Sequence, residues 1–412
     1  MMNSRRATLC RRAVHVLKSL LAVAIARTGL LQLLLRLRSP GIFVCVYHRV
    51  TADDAQDPCA ISHMHVTQSS FGRQLAALRQ LFRVVPMSEL RSILDGTRPL
   101  RQHVAVVTFD DGYRDNFDGA LPILRRHQVP ATFFLSIGFV DERRSFWFDR
   151  LADALRAWDR TPGERKRLRS MMPAPLMAAF DAPLRSAERL ERAAHFLATL
   201  PVQERRALMK RLLPELVPPT DASRSQPLSW SEVRRMRELG MEVGAHGISH
   251  TSLTRMSAEE IDDEVRGSLQ RVGCRIGERV TAFAYPNGSA DPEVARLARA
   301  AGAELGFTRR PGVNRGDADP LLLGRFTVSE QSSRSAFHNF SRAYFWCEIS
   351  GVFAFLSRLS HRSSRLPQHA AALRWTGPLE CHPVRPAAAG AFAPPTAHEA
   401  AWKRVEEPST SP

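Results

Sequence analysis

Short apolar segments alternate with amphipathic segments from about residue 41 to about residue 330. Apolar runs rich in β-branched and aromatic residues predict strands, and apolar positions three or four apart predict helices. Strands are predicted at 41–50, 84–86, 104–109, 131–136, 241–245, 280–285, 305–308 and 322–328. Helices are predicted at 71–82, 88–94, 116–127 and 230–239, and from residues 257 and 291. This alternation predicts an α/β fold with a parallel sheet, and a barrel is favoured because the polar candidates described below follow strands.

Other segments depart from that alternation. Residues 1–40 are basic and apolar, and residues 41–330 form the predicted main domain with a helical insertion or lid at about 142–226. Residues 331–366 predict a basic and aromatic helical appendage that packs on the barrel or on a membrane. The Pro- and Ala-rich residues 367–412 predict a disordered tail.

The charge balance favours anionic partners. The 412 residues include 58 Lys and Arg against 41 Asp and Glu, a formal net charge of +17. Phospholipid headgroups, acidic glycans and lipid pyrophosphates are such partners. Nucleic acid is disfavoured, because no zinc finger, recognition helix or Arg-aromatic platform is evident. The six cysteines are scattered without a C-x-x-C pair, which favours free thiols.

The N-terminal segment leaves three interpretations open. Lys18 and Arg27 interrupt the apolar run, which is therefore short for a membrane span. An amphipathic helix on anionic lipid fits the Leu-rich continuation with Arg36 and Arg38. A signal peptide or anchor, with Ala24–Ala26 as a cleavage site, and a plain structural helix are the alternatives.

Two adjacent carboxylates end the strand predicted at 104–109. Asp110 and Asp111 precede Gly112, so an ordinary Asp-Gly turn is one interpretation. Neighbouring buried carboxylates repel each other unless a cation or a proton compensates, which favours a functional interpretation.

Two histidines follow a second strand. His246 and His250 are four residues apart, and on a helical turn this spacing would place both rings on one face. One carboxylate with two imidazoles makes a three-ligand metal set that leaves positions open for water and substrate.

Three stretches together resemble the polysaccharide deacetylases, the NodB-homology carbohydrate esterases. These stretches are Thr108–Gly112, the pair His246 and His250, and Ala282–Gly288. Flanking stretches fit as well, at 46–50, 131–135 and 228–230, so the resemblance covers roughly residues 41–330. It implies a distorted (β/α) barrel of seven strands that removes acetyl groups from N-acetylated amino sugars.

The resemblance also implies residue roles. Asp111, His246 and His250 would bind a divalent metal, commonly zinc in this family. Asp110 would be the general base, and the backbone N–H of Asn287 would supply an oxyanion donor. Products would be a free amine and acetate.

Three positions depart from the family pattern. Gly247 stands where Ser or Thr is usual, and Ala282 stands where an Arg usually orients the base. Arg325 or Arg49 is the candidate replacement for that Arg. The late Leu-x-His motif that supplies a general acid is not evident, and His48 is the candidate for its role.

Four residues are candidate substrate contacts. Tyr285 and Pro286 belong to the third motif, and Arg325 follows a late strand. Trp147 would stack on a sugar if the insertion covers the site, although the trio 146–148 is also typical of a core.

The sequence therefore predicts a metal-dependent N-deacetylase for a glycan or a lipid-linked amino sugar in envelope polysaccharide synthesis. A peripheral position on the bacterial inner membrane is expected, with cytoplasmic and exported locations as alternatives. The rival functions are an amide C–N hydrolase for a small non-sugar substrate and a catalytically weakened glycan-binding protein.

Overall fold

The computed structural model describes residues 2–53, 64–143, 145–160, 163, 165–216, 225–354 and 356. All of them belong to one compact unit, Met1–Trp375. The tail predicted at 367–412 lies outside the described residues.

A parallel sheet organises the main domain. Its strands, and two short strands beside it, are β1 (Ile42–Tyr47), β2 (Arg49–Thr51), β3 (His65–Thr67), β4 (Arg83–Val84), β5 (Val104–Phe109), β6 (Ala131–Leu135), β7 (Glu242–Ala245), β8 (Ala282–Ala284), β9 (Leu305–Phe307) and β10 (Phe326–Thr327). The sheet order is β10-β1-β5-β6-β7-β8-β9, with β4 also paired to β5, while β2 and β3 pair separately. Every pairing between these strands is parallel.

Helices follow most strands. They are α1 (Met2–Arg27), α2 (Leu30–Leu37), α3 (Gln68–Leu81), α4 (Met87–Leu94), α5 (Leu121–Arg126), α6 (Ile137–Val140), α7 (Trp147–Arg160), α8 (Arg165–Arg169), α9 (Ala174–Phe180), α10 (Ser186–Thr199), α11 (Val202–Leu216), α12 (Trp230–Glu238), α13 (Ala258–Ile276), α14 (Pro292–Ala300) and α15 (Arg342–Ile349). A π-helical turn, Asn116–Ala120, precedes α5. The predicted α/β class with a parallel, barrel-like sheet is confirmed.

Local sequence chemistry explains where several helices begin. Ser257 and Glu260 form a reciprocal capping box at α13, and the side chain of Asp291 accepts a hydrogen bond from the N–H of Val294 at α14. The strands themselves are buried along their whole length in β1, β5 and β6, as expected for a sheet covered on both faces.

The helical insertion has an apolar core of its own. Helices α7 to α11 bury Leu155, Trp158, Phe180 and Leu190 against one another, apart from the core under the sheet. Phe146 and Phe148 join a small aromatic cluster with Tyr113, directly after the first motif. The first residues of the insertion therefore pack against the segment that follows β5.

The N-terminal helices pack on the domain along one face only. Ala22, Ile25 and Leu31 are buried, and α1 lies against α15, whose Phe345 is fully buried. By length and composition, no single described helix could cross a membrane; one pair, Ala13–Arg27 and Leu30–Leu37, passes that test together but is bent by 76°.

Candidate active site

Strand register brings the polar candidates to one edge of the sheet. Tyr47 of β1 is aligned with Phe109 of β5, so His48 and Asp110 leave the sheet side by side. Leu135 is aligned with Ala245, and Ala245 with Phe283. His246 and the third motif therefore emerge at the same carboxyl edge, where parallel α/β enzymes place their chemistry.

Asp111, His246 and His250 meet in a buried cluster. Oδ1 of Asp111 lies 3.2 Å from Nε2 of His250 and 3.5 Å from Nε2 of His246. Nδ1 of His246 lies 2.7 Å from the carbonyl oxygen of Ala284, which fixes the ring with Nε2 toward Asp111. The structure therefore brings together the three residues that the sequence predicted as a metal set.

The histidines approach each other through a loop, and the expected helical turn between them is wrong. No helix or strand includes 246–250; instead Gly247 (φ 72°) and His250 (φ 54°) adopt left-handed backbone. The ring centroids are nevertheless only 5.0 Å apart. Left-handed backbone at these two positions thus brings the two imidazole rings together, which a helical turn was expected to do.

Glu264 of α13 holds this loop, a role that was not predicted from the sequence. Its carboxylate accepts hydrogen bonds from the backbone N–H of Ile248 (2.6 Å) and of Ser249 (3.0 Å). A Cβ at position 247 would lie 2.9 Å from Oε2 of Glu264 and 3.1 Å from Cγ of Pro286. Gly247, the departure from the family's Ser or Thr, therefore suits both the left-handed backbone and the limited space at this position.

Arg325 orients the carboxylate of Asp110, the role for which the family usually has an Arg where this chain has Ala282. Its two terminal nitrogens each donate to one oxygen of Asp110 at 2.7 Å, and its Nε donates to the carbonyl oxygen of Thr308. The Arg325 side chain is fully buried, so it orients Asp110 and does not contact substrate, contrary to that part of the prediction. Arg49, the other candidate, pairs with Asp115 at 2.7 Å instead.

The charges of the cluster shift its pKa values in opposite directions. Burial opposes ionisation of Asp110, but Arg325 and His246 outweigh it and lower the pKa of this carboxyl. Burial likewise opposes ionisation of Asp111, and the two imidazoles lower its pKa well below the usual range. Burial lowers the pKa of His246, yet the two carboxylates raise it overall. Both aspartates are therefore anionic at neutral pH.

His48 borders the carboxylate pair. Its pKa is lowered to about 4 by burial, which outweighs the attraction of Asp111 and Asp110. Among the residues that the structure describes, its buried Nδ1 has no hydrogen-bond partner. The ring is therefore neutral near pH 7.

The third motif contributes backbone to the site. Asn287 lies in a tight turn with φ 59°, and its N–H donates to no acceptor within the described part of the chain. Pro286 is buried against the Gly247 turn. The hydroxyl of Tyr285 donates to the carbonyl oxygen of Leu321 at 2.9 Å, so this fully buried side chain lies in the core, contrary to its prediction as a substrate contact.

Trp147 lies at the mouth of the site. It lines a cavity of about 370 Å³ together with Phe146, His250 and residues of α11. Phe146 packs on the ring of His250 with centroids 4.7 Å apart. The insertion therefore forms one wall beside the histidine loop, which leaves the predicted sugar-stacking role of Trp147 compatible with its position.

The cluster fits a divalent cation. Donor atoms of Asp111, His246 and His250 all lie within 4.8 Å of one another. In the described ranges, neither buried carboxylate oxygen of Asp111 accepts a hydrogen bond, which is costly unless a cation compensates. Two imidazoles and a carboxylate, with the remaining positions open, are typical of hydrolytic metal centres.

A parallel α/β fold with this Asp/His/His cluster and an oriented second carboxylate at the carboxyl edge has the arrangement of a hydrolytic metal centre. Residues 97–177 and 184–306 match the sequence family described as polysaccharide deacetylase. The chain belongs to this family.

Individual relatives match over parts of their length. The Bacillus subtilis protein YxkH, whose name assigns it to the polysaccharide deacetylases, is 26% identical over 110 residues, which are 27% of this chain and 39% of that protein. The poly-β-1,6-N-acetyl-D-glucosamine N-deacetylase of Escherichia coli is 33% identical over 92 residues, or 22% of this chain and 13% of that enzyme. The deacetylase PplD of Streptococcus pyogenes, solved with acetate, aligns at TM-score 0.49 and 16% identity over 76% of this chain and 99% of its own.

Proposed function

We propose that this protein is a metal-dependent N-deacetylase acting on an N-acetylated amino sugar of a glycan or lipid-linked saccharide in envelope polysaccharide synthesis. The buried cluster of Asp111, His246 and His250 beside the Asp110–Arg325 pair is the observation that carries the proposal. Family membership and the names of the relatives support the same class of substrate.

The two aspartates have separate tasks in this proposal. Asp111, with both imidazoles, would hold the cation, and the cation would acidify water and polarise the acetamide carbonyl. Oδ2 of Asp110 lies 3.9 Å from Nε2 of His246, so this carboxylate faces the cluster and is within reach of a water beside it. Arg325 keeps Asp110 ionised and fixes the orientation of its carboxylate through two hydrogen bonds. Asp110 is therefore the base that takes the proton of the attacking water.

The remaining groups would serve the developing charges. The unengaged N–H of Asn287 would donate to the carbonyl oxygen as it becomes anionic. The proton that Asp110 takes from water would return to the departing amine, directly or by way of the neighbouring His48, whose proton affinity rises with that negative charge. Replacing His48 by Gln should lower kcat by roughly 10²–10⁴-fold with metal content unchanged.

Elemental analysis together with acetate release tests the proposal. Wild-type protein should carry about one zinc or other divalent ion per chain and release acetate from N-acetylglucosamine oligomers. Asp111→Asn and His246→Ala should lose the metal, whereas Asp110→Asn should retain it and lose activity. Asp110→Asn is the matched control because it removes a neighbouring carboxylate of the same kind.

Two other results would favour the rival functions. Bound metal without acetate release, combined with hydrolysis of small amides, would identify a different C–N hydrolase on this scaffold. A site that cannot be loaded with metal, in a protein that still binds glycan, would identify a binding protein.

We also propose that the protein works at the surface of the bacterial inner membrane. Leu17 and Leu20 of α1 are 66% and 56% exposed, and Leu37 at the end of α2 is 75% exposed. Arg27 and Arg36 are exposed on the same two helices. Apolar side chains bordered by cations suit an anionic lipid surface.

Vesicle sedimentation tests this location. Wild type should bind vesicles containing phosphatidylglycerol and should bind pure phosphatidylcholine weakly. Leu17→Gln with Leu20→Gln should reduce binding, while Val313→Gln, at an exposed apolar residue elsewhere, should not. Equal sedimentation of all three proteins would contradict the proposal.

A further inference from the structure

The cavity beside His250 is lined by four cations. Arg150 follows the start of α7, and Arg205, Arg206 and Lys210 belong to α11. We call this space of about 370 Å³ the basic cavity. Arg206 and Lys210 are four residues apart and therefore lie on one face of α11, and Arg205 lines the same cavity.

No carboxylate balances these charges. Within the described residues, no Asp or Glu lines the basic cavity, and no ion pair includes any of the four cations. Burial lowers the pKa of Arg205, and the nearby Arg255 and Arg206 lower it further. Like charges at this spacing destabilise a helix, so a compensating anion is the expected occupant.

The cavity also has an aromatic wall that leads to the metal ligands. The guanidinium of Arg205 lies 4.9 Å from the centre of the Trp147 ring. Phe146 lines the same cavity and packs on His250. A sugar at the metal cluster could therefore extend a neighbouring group past Phe146 toward the cations.

We propose that the basic cavity binds an anionic group of the substrate next to the N-acetylated sugar. The identity of that sugar rests on the proposed deacetylase function, whereas the preference for an anion rests on the four cations. A phosphate at the end of a lipid-linked saccharide and the carboxylate of a neighbouring uronate share this chemistry. Guanidinium groups suit both, because they offer paired donors to oxyanions.

Calorimetric titration tests the preference without requiring turnover. The probes are N-acetylglucosamine 1-phosphate, a disaccharide of glucuronate with N-acetylglucosamine, and uncharged methyl N-acetylglucosaminide. At least one anionic probe should bind about tenfold more tightly than the neutral probe. This is the effect expected if its anionic group pairs with two or more of the partly exposed cations. The preference should shrink as salt rises toward about 1 M. The probe with the larger preference identifies the phosphate or the carboxylate as the source of the anion.

Exposed cations provide the variants. Arg206→Gln with Lys210→Gln changes two exposed side chains and should bring the anionic and neutral probes to within about twofold of each other. Arg211→Gln is the control, because Arg211 lies on the same helix and donates to the carbonyl oxygen of Met171 instead of lining the cavity.

The outcomes separate this inference from the proposed function. Equal affinity for charged and neutral probes, or a preference that survives in the double variant, overturns the inference even if acetate is released. A preference that the double variant abolishes supports it even if acetate is not released, in which case the deacetylase proposal alone fails.

Discussion

Removing the guanidinium from Arg325 should damage both stability and catalysis. Arg325→Met keeps the length of the stem but leaves Asp110 buried without its cation. Arg325 and Asp110 are 0% and 2% exposed and share two hydrogen bonds of 2.7 Å. Breaking such a buried pair from one side costs about 3–5 kcal/mol, because the remaining charge is uncompensated.

The pH dependence follows from the same contact. Arg325 lowers the pKa of Asp110, so the variant should have a higher pKa at this carboxyl. The base must be ionised to accept a proton, and the acidic limb of kcat/KM should therefore move to higher pH. The depressed pKa stabilises the wild-type fold above the unfolded pKa of the carboxyl, and this contribution is lost as pH falls through the folded pKa. In the variant, that contribution should be smaller at neutral pH.

Urea denaturation and acetate release measure these effects. At a fixed pH, kcat should fall by about 10–100-fold, as for other groups that orient a reacting residue. Arg310→Met is the matched control, since Arg310 is exposed and donates to the carbonyl oxygen of Ala290. The double variant Asp110→Asn with Arg325→Met should be more stable than Arg325→Met alone, because no unpaired charge remains. A single variant within about 1 kcal/mol of wild type, with an unmoved pH profile, would refute this account of the pair.

Two further predictions concern groups outside the metal cluster. Glu264→Gln keeps the shape of the side chain but removes the negative charge that accepts hydrogen bonds from the N–H groups of Ile248 and Ser249. Metal affinity should therefore fall about 10–100-fold. Glu259→Gln, at an exposed residue of the same helix, is the control and should leave metal affinity unchanged. Unchanged affinity would mean that the loop holds His250 without Glu264. Burial raises the pKa of Asp149 from 3.8 to about 7. Between these two values the folded state holds a proton that the unfolded state releases. The contribution of this group to stability is therefore lost as pH rises from about 4 to about 7. Asp149→Asn should flatten the stability profile by up to about 3 kcal/mol relative to wild type in denaturant titrations between pH 5 and 8, and parallel profiles would contradict the assignment.

Much of the site could be predicted because strand ends are local features. The apolar run ending at Phe109 and the short strand before His246 mark their own boundaries, and parallel pairing then brings those boundaries together. The ligand set followed from residue types at those ends. The same local information located the start of α13 at Ser257.

Contacts between distant segments were harder to predict. Arg325 lies 215 residues from Asp110, and only its fold position distinguishes it from Arg49, which pairs with Asp115. Glu264 carried no motif, and the one indication of its role was the unusual Gly247 that makes room for it. The helical-turn expectation failed because residue spacing does not reveal left-handed backbone at His250.

The aromatic contact between Phe146 and His250 limits how this enzyme scaffold could be re-engineered. Exchanging the helical insertion with that of a relative would be an obvious route to a new substrate range. The junction would have to follow Asp149, whose carboxylate accepts a hydrogen bond from the hydroxyl of Tyr113. A graft that starts earlier would replace the packing that orients His250, a candidate metal ligand, so the graft would change metal binding together with substrate range.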